Sequence, residues 1–206
     1  MNRLVSLSAA RRFAVAACSV VAVVAVTGCA HPISITPLAD TAAKPAAVAK
    51  IDKSVAYVIT PADMALEVTS PGGGGDKVKY QPYRDLDASL YASFSSVFKD
   101  VTKAASVDEA KGLAAKGVQL VIVPTITTTS SSESAFTWPP TKFSVTLNCT
   151  ATNPQGQQIA QISATGNGAA EFDEFKSDFP LAARRASRAA IDNLTKALAE
   201  NEALRR

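Results

Sequence analysis

Ten residues, Phe143 to Thr152, alternate without a break. Phe143, Val145, Leu147, Cys149 and Ala151 fall on one side, and Ser144, Thr146, Asn148, Thr150 and Thr152 on the other. A helix would scatter these apolar side chains around its circumference; a strand gathers them onto one face. The segment therefore belongs in a sheet with one face against a core and one in water. Upstream, Val118-Gln119-Leu120-Val121-Ile122-Val123 is almost continuously apolar, the pattern of a strand covered on both faces. It runs on through Thr125-Ile126-Thr127-Thr128-Thr129, extended but increasingly polar. Downstream, Asn153-Pro154-Gln155-Gly156 supplies a turn. A third strand is expected from Gln158 to about Ala170, with Gly166 and Gly168 marking a bulge or bend.

The remaining elements follow from spacing and caps. Val55-Ala56-Tyr57-Val58-Ile59, ended by Pro61, reads as a first strand, and Met64 to Val68 as a short edge strand. Pro71 and the four glycines after it read as a flexible loop; no Gly-Lys-Ser/Thr follows to make a phosphate cradle. Leu86, Leu90, Phe94, Val97, Phe98 and Val101 recur at helical spacing, with Asp85 and Asp87 near the exposed amides of the first turn. Ser106-x-x-Glu109 matches a capping box and Gly117 a stop, which predicts a short helix over 107–116. The last helix is expected to start near Ser177-Asp178, with Pro180 in its first turn, and to bury Leu181, Ala190, Ile191, Leu194 and Leu198. Strand, helix, helix, three strands, helix predicts an α+β two-layer sandwich. Its sheet is mixed or antiparallel, of about four strands, with the helices on one face.

The start of the chain is of another kind. Arg3, Arg11 and Arg12 precede Phe13 to Val26, fourteen residues without a charge, and Val26-Thr27-Gly28-Cys29 closes the run. This is the layout of a secretory signal, too short in its apolar part to span a bilayer. The closing tetrapeptide resembles the lipobox of bacterial lipoproteins. The resemblance implies a diacylglycerol on the Cys29 sulfur, cleavage just before it, and acylation of the new amino terminus. More than one acyl chain makes such anchoring stable. The organisation expected is a signal peptide over 1–28, a lipid-anchored flexible tether over 29–53 and one periplasmic domain over 54–206. Pro32, Pro37, Pro45 and many alanines make the tether. Ala30, rather than Asp, follows the cysteine, which resembles the outer-membrane sorting pattern and implies the periplasmic face of that membrane.

Removing the signal leaves 178 residues, and the 21 basic residues fall to 18, equal to the 18 acidic ones. A neutral body gives no electrostatic case for nucleic acid. With Cys18 in the signal and Cys29 acylated, Cys149 is the one remaining thiol, and no intrachain disulfide forms.

Catalysis has little to work with, and the expectation is a non-enzyme without metal or cofactor. His31, the only histidine, stands two residues from the lipid. No Cys/His cluster suits zinc, and no Gly-x-Ser-x-Gly appears. Asp108 with Glu109, and Glu171 with Asp173 and Glu174, read as solvated acids. A calcium loop from these last three and Asp178 lacks ordered ligand spacing and a glycine. Cys149 reads as a buried small hydrophobe. The Ser144–Thr152 face carries hydroxyls and an amide rather than the aromatics and cations of a nucleic-acid sheet. It reads as solvated sheet, with a neighbouring subunit or a hydrated glycan as alternatives. Between Thr127 and Thr141, Phe136 and Trp138 form an aromatic and proline tip. It suits a partner contact or a membrane-interface anchor; alternatively both rings fold back to plug one end of the sandwich.

Together these elements resemble small bacterial envelope lipoproteins of the YajG type. More remotely they resemble the periplasmic domain of curli-export channel lipoproteins and their polysaccharide-export relatives. The lipobox with its tether carries the resemblance at the start, and Arg84-Asp85-Leu86, the Val118–Pro124 strand and the helix from Pro180 carry it over about residues 54–200. It implies a non-enzymatic assembly or accessory subunit of an envelope or export complex, with envelope protein partners and homo-oligomers in rings. The alternative is a lipid- or glycan-binding carrier module in envelope transport. A deep apolar pocket between helices and sheet favours the carrier, and a filled core with an exposed loop favours the contact protein.

Overall fold

A computed structural model describes residues 30–38, 49–72, 76–132 and 140–206. Its elements are β1 (Ala30–Pro32), β2 (Ile51–Val58), α1 (Pro61–Ala65), β3 (Val68–Pro71), β4 (Lys77–Tyr80), α2 (Pro82–Val97), β5 (Phe98–Ala104), α3 (Val107–Gly112), a 3-10 turn (Leu113–Lys116), β6 (Val118–Ser131), β7 (Lys142–Thr152), β8 (Gln158–Ala169), α4 (Phe172–Phe175), α5 (Leu181–Glu200) and α6 (Glu202–Arg205). The fold is α+β, as expected, and is built on a five-stranded sheet in the order β5-β2-β6-β7-β8. β5, β2 and β6 run parallel, and β6, β7 and β8 antiparallel.

The strand beyond the expected four is β5. Phe98 and Val101 sit at helical spacing after Val97, yet Phe98 is already extended (φ −104°, ψ 157°) and α2 stops there. Phe98, Val101 and Ala104, three apart, imitate a helical stripe along an edge strand whose other residues face water. A second difference concerns Met64. Thr60 caps a short helix there: its Oγ1 accepts from the Asp63 amide at 3.1 Å, and the Asp63 carboxylate accepts from the Thr60 amide at 2.9 Å. Pro61 suits the first turn, so strand pairing begins only at Val68. α3 forms where its cap predicts. Ser106 Oγ accepts from the Glu109 amide at 3.1 Å, and Gly117 closes the turn at φ +92°.

The main core lies under α2 and α5, where Leu86, Leu90, Phe94, Leu194 and Leu198 meet Tyr57, Leu120, Ile122, Leu147 and Cys149. Contrary to the expectation of helices on one face, α3 lies on the opposite one, where Ala110 joins Ala56, Val58, Ala104, Val118 and Val121 in a smaller core. Coverage from both sides is what the Val118–Val123 run requires.

Gly166 and Gly168 mark close packing rather than a bulge. Pairing of β8 with β7 is regular through both, and the irregularity lies at Ala151/Thr152. A Cβ on Gly166 would strike the backbone of Ala186 and Ala190, and one on Gly168 the backbone of Ala182 and Ala186. α5 meets these glycines with buried Ala182, Ala183, Ala186 and Ala190, so helix and strand touch backbone to backbone. The helix starts at Leu181, and Asp178 accepts from Arg184 at 2.8 Å instead of capping.

A second sheet, ordered β1-β4-β3, stands on the end of β6. Ser130 Oγ donates to the Pro71 carbonyl at 2.6 Å, and the hydroxyls of Tyr80 and Thr128 meet at 2.6 Å. Over 30–38 and 49–53 the structure departs from the tether expected over 29–53, the rest of which lies outside the described residues. Ala30 to Pro32 pair in parallel with Lys77 to Lys79, and the Ile33 amide donates to the Lys79 carbonyl at 2.9 Å. Ile35 is fully buried, with its amide on the Asp85 carboxylate at 2.8 Å, and Arg188 donates to the Leu38 carbonyl at 3.3 Å. Ile51 belongs to the core. The alternation Ile33-x-Ile35 supplies the apolar side chains, and Pro32 is tolerated because β1 is an edge strand.

Candidate functional site: an uncharged polar sheet face

The antiparallel register extends the polar face of β7 across its two neighbours. Thr125, Asn148 and Ser163 form one row, Thr127, Thr146 and Thr165 the next, and Thr129, Ser144 and Asn167 a third. All nine side chains are hydroxyls or amides, those of β6 and β8 exposed and those of β7 half-buried between them. Within the grid, Thr146 Oγ1 and Thr165 Oγ1 lie 2.9 Å apart. Thr and Ser offer both a donor and an acceptor, so such a face can match another neutral polar surface without burying charge. The alternation in β7 marks a third of this site. The rest was available in the period-2 spacing of Thr125, Thr127 and Thr129, and of Ser163, Thr165 and Asn167, but only pairing shows that the three sets align.

At the end of these strands lies an open depression of about 490 Å³, bordered by Ser131, Lys142, Asn167 and Ala169. The connection from β6 to β7 leaves from here. Phe136 and Trp138 lie outside the described residues, as does Cys29.

The acids do not converge. Glu109 accepts from the Ala105 amide, Asp173 pairs with Lys176, Glu174 with Arg185 and Asp178 with Arg184. The four acids of the calcium idea therefore do not gather, and among the described residues no group of three metal-ligating side chains occurs. Bidentate contact with the Arg185 guanidinium, helped by the Glu171 amide, pulls the Glu174 carboxyl down to about 2. His31 lies in β1, 4.0 Å from Asp76. Cys149 is fully buried, and burial pushes its thiol up to about 12, which suits packing and opposes nucleophilic use. One polar cluster was not foreseen: Tyr57 donates to Asp87 at 3.0 Å, and Lys103 reaches the same carboxylate at 2.6 Å. Burial, then the Asp87 hydrogen bond, raises the Tyr57 phenol, which stays protonated and holds α2 to β2. No helix among the described residues is long and apolar enough to cross a membrane.

No family model matches the chain, and no curated protein matches it in sequence. Among solved structures it is similar to a Xanthomonas campestris protein of the family DUF330 (10% identity over 84% of this chain and 90% of that one, TM-score 0.45). It is similar also to a minor lipoprotein from Acinetobacter baumannii (11% identity, 69% and 90%, TM-score 0.38). A third is a Caulobacter crescentus protein provisionally named a lipoprotein (11% identity, 64% and 85%, TM-score 0.31). Likeness at this level assigns no function.

Proposed function

We propose that the chain is a lipid-anchored protein of the bacterial envelope, on the periplasmic face of the outer membrane. It serves as a non-enzymatic accessory subunit that binds envelope proteins through the nine-residue polar face of β6, β7 and β8. The anchor is Cys29, behind the uncharged run from Phe13 to Val26. The observation that carries the contact role is the three-strand register, which lines up an uncharged grid beside the small α3 core. A partner that is itself neutral and polar, a second copy included, satisfies hydroxyls and amides of this kind without desolvating ions. The carrier alternative needs space between helix and sheet, and at Gly166 and Gly168 the α5 backbone fills it.

The test is a photo-crosslinking residue at Thr127, in intact cells at native abundance, with and without Thr146→Lys. The reading expects a discrete crosslinked species that the lysine abolishes while the monomer's unfolding midpoint stays unchanged. Abundant anchored protein with no crosslink from Thr127, or one indifferent to Thr146→Lys, contradicts it.

A further inference from the structure

We infer that the domain rests directly on the bilayer through one end, with Phe172 and Phe179 in the headgroup layer. This rests on the acylation of Cys29 proposed above and adds an orientation to it. Cys29 is joined to Ala30 by one peptide bond, and Ala30 is already the first residue of β1, paired with Lys77. Neighbouring Cα atoms are about 3.8 Å apart, so the acylated residue has no spacer between lipid and body. β1 cannot peel away at low cost: the Ile33 amide is bonded to β4, Ile35 is in the core, and Asp85 and Arg188 hold the backbone that follows. The Pro- and Ala-rich residues from 39 onward come after this docked stretch, so they lie on the wrong side of it to act as a spacer.

The same end of the body carries apolar side chains in the open. Ala30 pairs with Lys77 and Lys77 with Pro71, and Pro71 touches Ser130 near the end of β6. Ser131 pairs with Lys142, and Lys142 with Ala169, where β8 ends. Phe172 follows three residues later and is 59% exposed. Gly168 against Ala182 brings the first turn of α5 to this end, and with it Phe179, 49% exposed. Lys176 lies 4.2 Å over the Phe172 ring, a cation beside an aromatic as at a membrane interface. Two open phenylalanines beside a lipid attachment point fit a lipid surface, where rings bury their area against the headgroup boundary.

The acylated full-length chain, reconstituted in phosphatidylethanolamine/phosphatidylglycerol vesicles with brominated acyl chains, tests this. An environment-sensitive fluorophore is placed singly at Phe172→Cys, Phe179→Cys, Tyr91→Cys on the flank, or Gln155→Cys in the β7–β8 turn at the far end. Buried Cys149 stays unlabelled. The expected result is at least threefold quenching at 172 and 179, against none at 155 and little at 91. Should Phe172→Cys not fold by circular dichroism, 179 alone gives the reading. Equal quenching at all sites, or none at 172 and 179, on acylated protein overturns the orientation and leaves the anchor standing. A mature chain found unacylated by mass overturns both.

Discussion

Gly168 shows how one missing side chain sets the distance between layers. Its Cβ would fall among the backbone atoms of Ala182 and Ala186, and backbone cannot turn aside as a side chain can. Gly168→Ala is expected to cost at least about 2–3 kcal/mol, the upper part of the overpacking range. Gly112 meets nothing within 4 Å, and Gly112→Ala should be neutral or stabilising by up to about 1 kcal/mol. Urea unfolding of both variants checks the contrast; equal effects would contradict the backbone contact. Glu174 gives a pH test. Its carboxyl, ordinarily near 4.5, is held at about 2, so it supports the fold above 4.5, and the support fades as pH falls toward 2. Arg185→Gln should return the carboxyl toward 4.5 by carbon NMR titration and flatten the loss of stability between those pH values. The pair is part exposed, so added salt weakens the effect.

At the scale of elements, the sequence was most legible where one period dominates. The alternation of β7, the apolar start of β6 and the Ser106 cap of α3 each appear where their patterns place them. Legibility failed where a competing signal had the same spacing. Phe98, Val101 and Ala104 satisfy a helical stripe as well as an edge strand, and only the parallel pairing with β2 decides. It failed again over 30–38, where prolines, one of them tolerated in the edge strand β1, mask the apolar Ile33 and Ile35 that follow it. The polar face was one-third visible, because alignment across strands is a long-range property that no single segment carries. The docked stretch is testable. Ile35 is fully buried, and Ile35→Ala should cost about 2–5 kcal/mol in chemical unfolding, as buried truncations do, whereas a residue of a free tether would cost nothing.

At the scale of the whole molecule, two sheets and their helices make a body in which, among the described residues, no three metal-ligating side chains gather. What it offers is surface: an uncharged grid on β6, β7 and β8, and an end with open phenylalanines beside the first strand. In the function proposed above, such a body gains its role from where it is held. One covalent bond, at the sulfur before β1, decides whether this surface works at a bilayer or in free solution. Intact mass of the polypeptide recovered from cell membranes reads that bond directly. The account predicts a chain beginning at Cys29 that carries three acyl groups, and its loss from the membrane fraction in Cys29→Ser. A mature chain of unmodified mass in the soluble fraction would contradict it.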